Sequence, residues 1–138
     1  MQKIDIICLS KIKEKHYIDA VLEYKKRLTT YCKLQVTETS DTKVKIPPKA
    51  FVVALTLDGK HITSEELASF IATKAVDGHS HLVFLIGDSD GLPPDLIERA
   101  NFKLCFSKMT FPHQLFRVML IEQIYRAHKI NANEVYHK

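Results

Sequence analysis

The sequence predicts an α/β fold with a mainly parallel sheet and helices on both faces. Residues 3–10, 50–57 and 81–87 are apolar nearly throughout, which is typical of strands buried on both faces. Segments with helical spacing of apolar residues alternate with these runs, as in repeated strand–helix units. The chain has 138 residues, so we expect a single domain that spans residues 1–138.

The first half of the chain predicts a strand, a helix and a second strand. Residues 3–10 form the first strand, and apolar residues at helical spacing predict a helix over residues 13–31. Residues 33–39 alternate between apolar and polar side chains, as a half-exposed strand does. Residues 40–49 follow as a polar loop that ends in two prolines.

The second half predicts three strand–helix units in succession. We place the strands at residues 50–57, 81–87 and 102–107 and the helices at residues 64–76, 94–101 and 114–130. Thr63 and Glu66 have capping-box spacing at the start of the first of these helices. Pro94 suits the first turn of the helix over residues 94–101. Asp58-Gly59 should end the strand over residues 50–57.

Positive charge is concentrated in the first half of the chain. Residues 1–50 hold 11 Lys and Arg against 6 Asp and Glu, whereas residues 51–138 hold 9 against 10. A basic half permits a polyanionic partner, because contacts to phosphates dominate nucleic-acid affinity. An ordinary solvated surface explains the same charges and stays open at this point.

The composition also excludes several classes of protein. Cys8, Cys32 and Cys105 are an odd number without CxxC spacing, which excludes a zinc ribbon and a fully paired disulfide framework. The apolar runs around Cys8 and Cys105 favour buried thiols over reactive nucleophiles. His79 and His81 lack an acidic or cysteine cluster beside them, so we expect no metal site. No apolar run approaches the ~20 residues of a membrane span, and we expect a cytoplasmic protein that does not contact membranes.

Ligands of open α/β sheets bind beyond the carboxyl ends of the strands, here near Asp58, Gly87 and Ser107. The chain has neither a GxGxxG turn nor a P-loop, which excludes the corresponding nucleotide sites. Residues 87–91 (GDSDG) either bring a backbone turn against a ligand or form a plain turn with two glycines. His113 follows the last strand and lies in the same region.

The last predicted helix is apolar nearly all round, so it needs cover on more than one side. A second subunit would supply that cover; complete burial within one chain is the alternative. Glu122 and Arg126 are four residues apart and form either an intrahelical ion pair or a carboxylate facing a site at a subunit interface. The terminal Tyr136, His137 and Lys138 combine a stacking surface, a titratable ring and a cation, although chain ends are often disordered.

Three segments together carry a family resemblance: FLIGDSDGL, FSKMTFPHQLFRVMLIEQIYRAHKI and the terminal YHK. They resemble the small ribosomal RNA pseudouridine methyltransferases of the SPOUT superfamily, and the N-terminal strand and helix are similar too. The resemblance implies methylation of ring nitrogen 3 of a pseudouridine in the 23S RNA of the large ribosomal subunit. It also implies an α/β fold with a C-terminal trefoil knot, a homodimer built partly on the last helix, and the ribosome as partner. Because a chain of 138 residues has little surface for reading an RNA sequence, we expect it to recognise the shape of the assembled ribosome with its basic N-terminal half.

The resemblance further implies a pocket for S-adenosylmethionine (AdoMet). Carried over residue by residue, this pocket consists of Leu55, Gly87, Phe106, Ser107, Lys108, Met109, Thr110 and Phe111. For catalysis, Glu122 and His137 are candidate bases, because the ring nitrogen must lose a proton. Lys138 and Arg126 are candidates for holding phosphate or base carbonyl oxygens, and Tyr136 for stacking on the target base.

The chain departs from the family pattern in two places. The family usually has two adjacent glycines where this chain has Gly87 and Asp88, and residues 40–49 replace a longer insert. Two other classes of function stay open. One is a SPOUT methyltransferase that acts on transfer RNA, and the other is a non-catalytic module that binds AdoMet or RNA.

Overall fold

The computed structural model describes residues 1–40 and 43–136, which contain five strands and four helices. The elements in chain order are β1 (Lys3–Cys8), α1 (Lys15–Leu28), β2 (Lys33–Glu38), β3 (Phe51–His61), α2 (Ser64–Val76), β4 (His81–Ile86), α3 (Pro94–Arg99), β5 (Phe102–Cys105) and α4 (His113–Asn131). The strands form one sheet in the order β2-β1-β4-β3-β5, and every strand pair is parallel. The predicted α/β class and parallel sheet are confirmed.

The start of α2 confirms the capping box predicted from Thr63 and Glu66. The Thr63 hydroxyl accepts a hydrogen bond from the Glu66 N–H at 3.0 Å, and the Glu66 carboxylate accepts one from the Thr63 N–H at 2.9 Å. Two N–H groups that would otherwise lack partners at the helix end are thereby satisfied. This cap fixes where the chain turns from β3 into α2.

Helices cover both faces of the sheet, as predicted, but unequally. On one face α1, α2 and α4 pack over the sheet, and the core there includes Leu28, Ile71 and Ile121. On the other face the six-residue α3 contributes Leu96. The loop expected to be polar assists it, because its Val44 packs against the same cluster.

β3 differs from the prediction at its end, because it continues past Asp58-Gly59 to His61. Leu104 of β5 pairs with Leu55 and also with Lys60, both in the parallel sense. The register of the pairing shifts between Leu55 and Lys60. Because a strand residue has two hydrogen-bonding edges and these partners are five residues apart, we infer that they lie on opposite edges of β5.

Residues 56–59 therefore cross over β5. A Cβ atom built on Gly59 would lie 2.8 Å from backbone atoms of Lys103 and Leu104, which shows how closely the crossing segment approaches the strand. Asp58 pairs with Lys103 at 3.7 Å on the same crossing. A threaded chain requires such a crossing, and the complete trefoil knot stays a prediction.

Most of the apolar surface of α4 is buried by other parts of the same chain. It packs against α1, α2 and the sheet, and Leu120, Ile121 and Ile124 are fully buried. Val118 and Met119 are only half-buried. The second subunit that the sequence led us to expect stays a prediction, with these residues as its candidate contacts.

Within residues 1–40 and 43–136, no helix is long and apolar enough to cross a membrane. The same part of the chain contains no group of three His, Cys, Asp or Glu side chains that could hold a metal ion. All three cysteines are free and buried, which confirms the interpretation of Cys8 and Cys105 as core thiols and adds Cys32 to them.

Candidate functional site

A cavity of about 670 Å³ opens at the carboxyl edge of the sheet, beside residues 55–58 of β3, the end of β4 and the first turn of α4. Seven of the eight residues proposed to bind AdoMet line it: Leu55, Gly87, Phe106, Ser107, Met109, Thr110 and Phe111. Lys108, the eighth, is exposed and is not among the lining residues. We call this space the first cavity.

One wall of the first cavity is the turn formed by residues 87–91. A Cβ atom on Gly87 would lie 2.3 Å from the carbonyl carbon of Gly91, so the chain closes on itself where only glycine fits. The Gly91 N–H donates to the Asp88 carbonyl at 2.9 Å, and the Asp90 N–H donates to the Asp88 carboxylate at 2.8 Å. Asp88, which stands where the family usually has glycine, thus stabilises the turn through an Asx-type hydrogen bond.

The loop after β5, residues 106–111, forms another wall. The Ser107 hydroxyl accepts a hydrogen bond from the Met109 N–H at 3.0 Å, and the Cys105 thiol donates to the Ser107 carbonyl at 3.2 Å. The rings of Phe106 and Phe116 pack with centroids 4.9 Å apart. Local hydrogen bonds and ring packing therefore hold this loop in place.

A second cavity of about 470 Å³ lies on the other side of that loop. Phe106, Ser107 and Phe111 line both cavities, so the loop is the wall between them. The second cavity is also lined by Glu122 and Met119 of α4. A carboxylate on α4 thus faces a space directly beside the first cavity.

Three of the five proposed catalytic residues come together at Glu122. Its Oε1 accepts from Arg126 Nη2 at 2.6 Å and from the Tyr136 hydroxyl at 3.3 Å. The Arg126 guanidinium also lies over the Tyr136 ring, 5.1 Å from its centroid. The intrahelical ion pair of Glu122 and Arg126 is confirmed, and the Glu122 carboxylate also lines a cavity. Its position at a subunit interface stays a prediction. His137 and Lys138 lie outside the described residues.

Electrostatic interactions keep Tyr136 and Arg126 of this cluster in defined protonation states. Burial raises the pKa of Tyr136 to about 12, assisted by the neighbouring Tyr24 hydroxyl and the Glu122 carboxylate. The hydrogen bond to Glu122 raises the pKa of Arg126 above its usual range. At neutral pH the tyrosine is thus a neutral hydrogen-bond donor, and the arginine is a cation.

The chain after α4 is anchored before it reaches Tyr136. Asn133 has a φ of 55°, a left-handed conformation that asparagine tolerates and that reverses the chain direction. The Glu134 carboxylate then accepts from the Tyr31 hydroxyl at 2.6 Å and from Lys129 Nζ at 3.1 Å. The Tyr136 ring packs edge-on against Tyr125 with centroids 4.9 Å apart.

The sequence did not identify the role of Arg117. This residue is only 2% exposed, and its guanidinium donates to the Glu38 carboxylate and, at 2.8 Å, to the Ser10 carbonyl. The available signal was an arginine inside an otherwise apolar helix, because a buried arginine needs partners. Ser10 also contacts His113, a lining residue of the first cavity, with 2.9 Å between Oγ and Nδ1.

The parallel sheet, the crossing at β5 and the cavity at the carboxyl edge are features of an α/β enzyme domain. The family model described as a predicted SPOUT methyltransferase matches residues 2–137. The chain therefore belongs to the SPOUT methyltransferase family.

Its curated relatives include proteins that match nearly end to end. A protein from Bifidobacterium animalis subsp. lactis is 49% identical and one from Clostridium beijerinckii is 47% identical, each over 98% of this chain and 99% of the relative. Both are named ribosomal RNA large subunit methyltransferase H. These alignments span 157 positions against 138 residues here, so the relatives contain residues that this chain lacks.

Solved structures support the fold. A probable methylase family protein from Haemophilus influenzae Rd KW20 aligns with a TM-score of 0.65 at 12% identity, over 98% of this chain and 70% of that chain. A probable methyltransferase from Bordetella pertussis Tohama I aligns with a TM-score of 0.65 at 11% identity, over 92% of this chain and 94% of that chain. At these identities the likeness concerns the fold alone.

Proposed function

We propose that this protein transfers a methyl group from AdoMet to ring nitrogen 3 of a pseudouridine in the 23S RNA of the large ribosomal subunit. The observation that carries this proposal is the 49% identity, over nearly the full length of both chains, to a ribosomal RNA large subunit methyltransferase H. We further propose that the substrate is the assembled ribosome and that the protein acts in the cytoplasm.

The first cavity suits a cofactor of this size. Its volume of about 670 Å³ lies within the usual range of ligand sites, and at Gly87 the turn leaves no room for a side chain. AdoMet would supply an electrophilic methyl group on its sulfonium. Leu55, Gly87 and the loop 106–111 would hold it, in part through backbone groups, and Lys108 remains part of this proposed set.

The residues around Glu122 would manage the proton that the ring nitrogen loses. A carboxylate is a suitable base when it lies within hydrogen-bond reach of that proton, and Glu122 lines the cavity next to the first one. Arg126 would hold a phosphate or a carbonyl oxygen of the base, and Tyr136 would stack on the base. His137 remains a second candidate base, and Lys138 a second cation.

We also propose that the active protein is a homodimer built partly on α4. The half-buried Val118 and Met119 line the second cavity and would contact the second subunit. In such a dimer one subunit's cofactor and the other's tail would form a composite site. Mixed dimers of a subunit truncated after Asn131 and a cofactor-deficient subunit should then regain activity, and inactive mixtures would contradict the composite site.

The test of the function is transfer of labelled methyl from AdoMet to ribosomes that lack the modification, with naked 23S RNA and transfer RNA in parallel. Label at a large-subunit pseudouridine on ribosomes is the expected result. Equally fast labelling of naked RNA would contradict the assembled substrate, and label on transfer RNA alone would favour the other SPOUT activity. A folded dimer that labels nothing would favour a non-catalytic module.

A further inference from the structure

We propose that residues 9–14, named the lysine loop, form a preformed surface that binds the RNA phosphate backbone beside the first cavity. Lys11 and Lys13 of this loop would contact the phosphates. The inference rests on the proposed function for the nature of the nucleic acid, but the loop's construction is a property of this chain alone.

A buried arginine fixes the first part of the lysine loop. Arg117 donates to the Ser10 carbonyl at 2.8 Å, and the Glu38 carboxylate that it also contacts accepts from the Ile12 N–H at 2.6 Å. Burying an arginine is costly and adds little net stability even when it is paired. The visible consequence of this arrangement is that the backbone of a surface loop has a defined position.

The first turn of α4 fixes the rest of the loop. The Gln114 side-chain carbonyl accepts from the Lys13 N–H at 3.0 Å and from the Glu14 N–H at 3.5 Å. The Leu9 N–H donates to the carbonyl of Ile86, the last residue of β4, at 3.0 Å. The loop is thus held at both ends and in the middle.

The two lysine side chains remain available. Lys11 and Lys13 are exposed, and within residues 1–40 and 43–136 the side-chain amine of neither forms a hydrogen bond or salt bridge. The charge of Lys11 helps to lower the pKa of Glu38, so it lies on the Glu38 side of the loop. Lys15, by contrast, pairs with Asp19 at 3.2 Å. Lysine binds phosphate as a point charge on a flexible stem, so a rigid backbone with two free lysines suits a phosphate chain.

The loop lies at the same edge of the sheet as the first cavity. Ser10 contacts His113, which lines that cavity, and Ile86 directly precedes the lining residue Gly87. RNA held by the lysine loop would therefore lie next to the methyl donor.

Further lysines whose side chains form no hydrogen bond or salt bridge with any described residue lie at the opposite edge of the sheet. Lys25 and Lys26 belong to the last turn of α1, and Lys33 is the first residue of β2. Because β2 has six residues at about 3.3 Å each, these lysines lie a full strand length away from the carboxyl edge. Lys25 and Lys26 also complement the negative end of the helix dipole. Removing these two positive charges changes the net charge equally but far from the first cavity, which makes Lys25 and Lys26 a control for position.

The experiment compares Lys11→Gln/Lys13→Gln with Lys25→Gln/Lys26→Gln, two variants with the same change in net charge. Binding to unmodified ribosomes and to transfer RNA is measured between 50 and 200 mM salt, and AdoMet affinity is measured by calorimetry. The logarithm of the binding constant falls linearly with the logarithm of the salt concentration, and each lost phosphate contact reduces the magnitude of this slope by about 0.7–0.9. The first variant should lower the slope by about 1.5 and weaken RNA binding about tenfold at moderate salt, with AdoMet affinity unchanged.

A third variant tests whether the loop must be preformed. Gln114→Ala removes the acceptor for the Lys13 and Glu14 N–H groups but no charge, so it should weaken binding without changing the salt slope. Equal losses in both lysine pairs, or an unchanged slope in Lys11→Gln/Lys13→Gln, would overturn the inference. Wild-type protein that binds ribosomes through these lysines but transfers no methyl would refute the proposed function and leave the loop's role standing.

Discussion

The substitution Gly87→Ala tests whether the turn at residues 87–91 is a wall of the cofactor site. The added methyl group would lie 2.3 Å from the Gly91 carbonyl carbon and 2.7 Å from the Leu92 nitrogen. Favourable contacts are about 3.5–4.0 Å, so the facing backbone must retreat by about 1 Å. That movement stretches the 2.9 Å hydrogen bond between Gly91 and Asp88 beyond useful length.

The expected cost combines the lost hydrogen bond, about 1 kcal/mol, with a displaced cavity wall. We expect the AdoMet dissociation constant to rise at least tenfold, which corresponds to about 1.4 kcal/mol. Calorimetric titration of the folded protein measures this directly, and thermal denaturation reports whether the remainder of the domain stays folded.

Gly78→Ala is the matched control. Gly78 follows α2 with a φ of 88°, and a Cβ added there would meet no other atom within 4 Å, so alanine costs about 1–2 kcal/mol of stability through backbone strain. It should leave AdoMet affinity unchanged. Wild-type affinity in Gly87→Ala, or equal loss in both variants, would refute the assignment of the wall.

Three further predictions concern stability and chemistry. Gly59→Ala places a methyl group 2.8 Å from the backbone of Lys103 and Leu104, and we expect at least 2 kcal/mol of destabilisation in denaturant unfolding; a wild-type midpoint would contradict the crossing. Burial raises the pKa of Cys8 and of Cys32 to about 11, so at pH 8 only about 0.1% is thiolate, and a thiol reagent should react with them only after denaturation. Burial alone would raise the pKa of Glu38, but hydrogen bonds, above all the one from Arg117, lower it below its usual value. The ionised Glu38 therefore stabilises the folded state fully above its unfolded pKa of about 4.3. This contribution is lost as the pH falls through the lower pKa of the folded state. Melting of Glu38→Gln should therefore differ from wild type at pH 7 and converge with it near pH 3, and a pH-independent difference would exclude this ionic contribution.

Periodicity predicted most of the fold, because the buried strands and the capped α2 are encoded by neighbouring residues. The end of β3 was predicted wrongly at Asp58-Gly59, because a glycine that normally signals a turn here allows the chain to cross β5. No local pattern reveals such a crossing, since β5 lies more than forty residues further along the chain.

The candidate site was predicted from a motif, and the structure adds what motifs omit. Seven cofactor candidates share one cavity, and Glu122, Arg126 and Tyr136 form one cluster. The predicted parallel sheet already places residues 9–14 at the carboxyl edge, but the sequence does not show that the backbone there is fixed. That feature depends on Arg117, whose partners Glu38 and Ser10 lie 79 and 107 positions away in the chain.

The crossing of β3 over β5 has a consequence for how the molecule is assembled. A strand that has neighbours on both edges cannot simply be added to the side of a finished sheet. β5 and α4 follow the other strands and helices in chain order, so the sheet is completed only after its other four strands have been synthesised. During unfolding, β5 can leave the sheet only if α4 is also withdrawn from between α1 and α2. This requirement raises the activation barrier to unfolding and does not increase the equilibrium free energy of unfolding. We therefore expect the native state to persist, once formed, far longer than its free energy of unfolding alone would indicate.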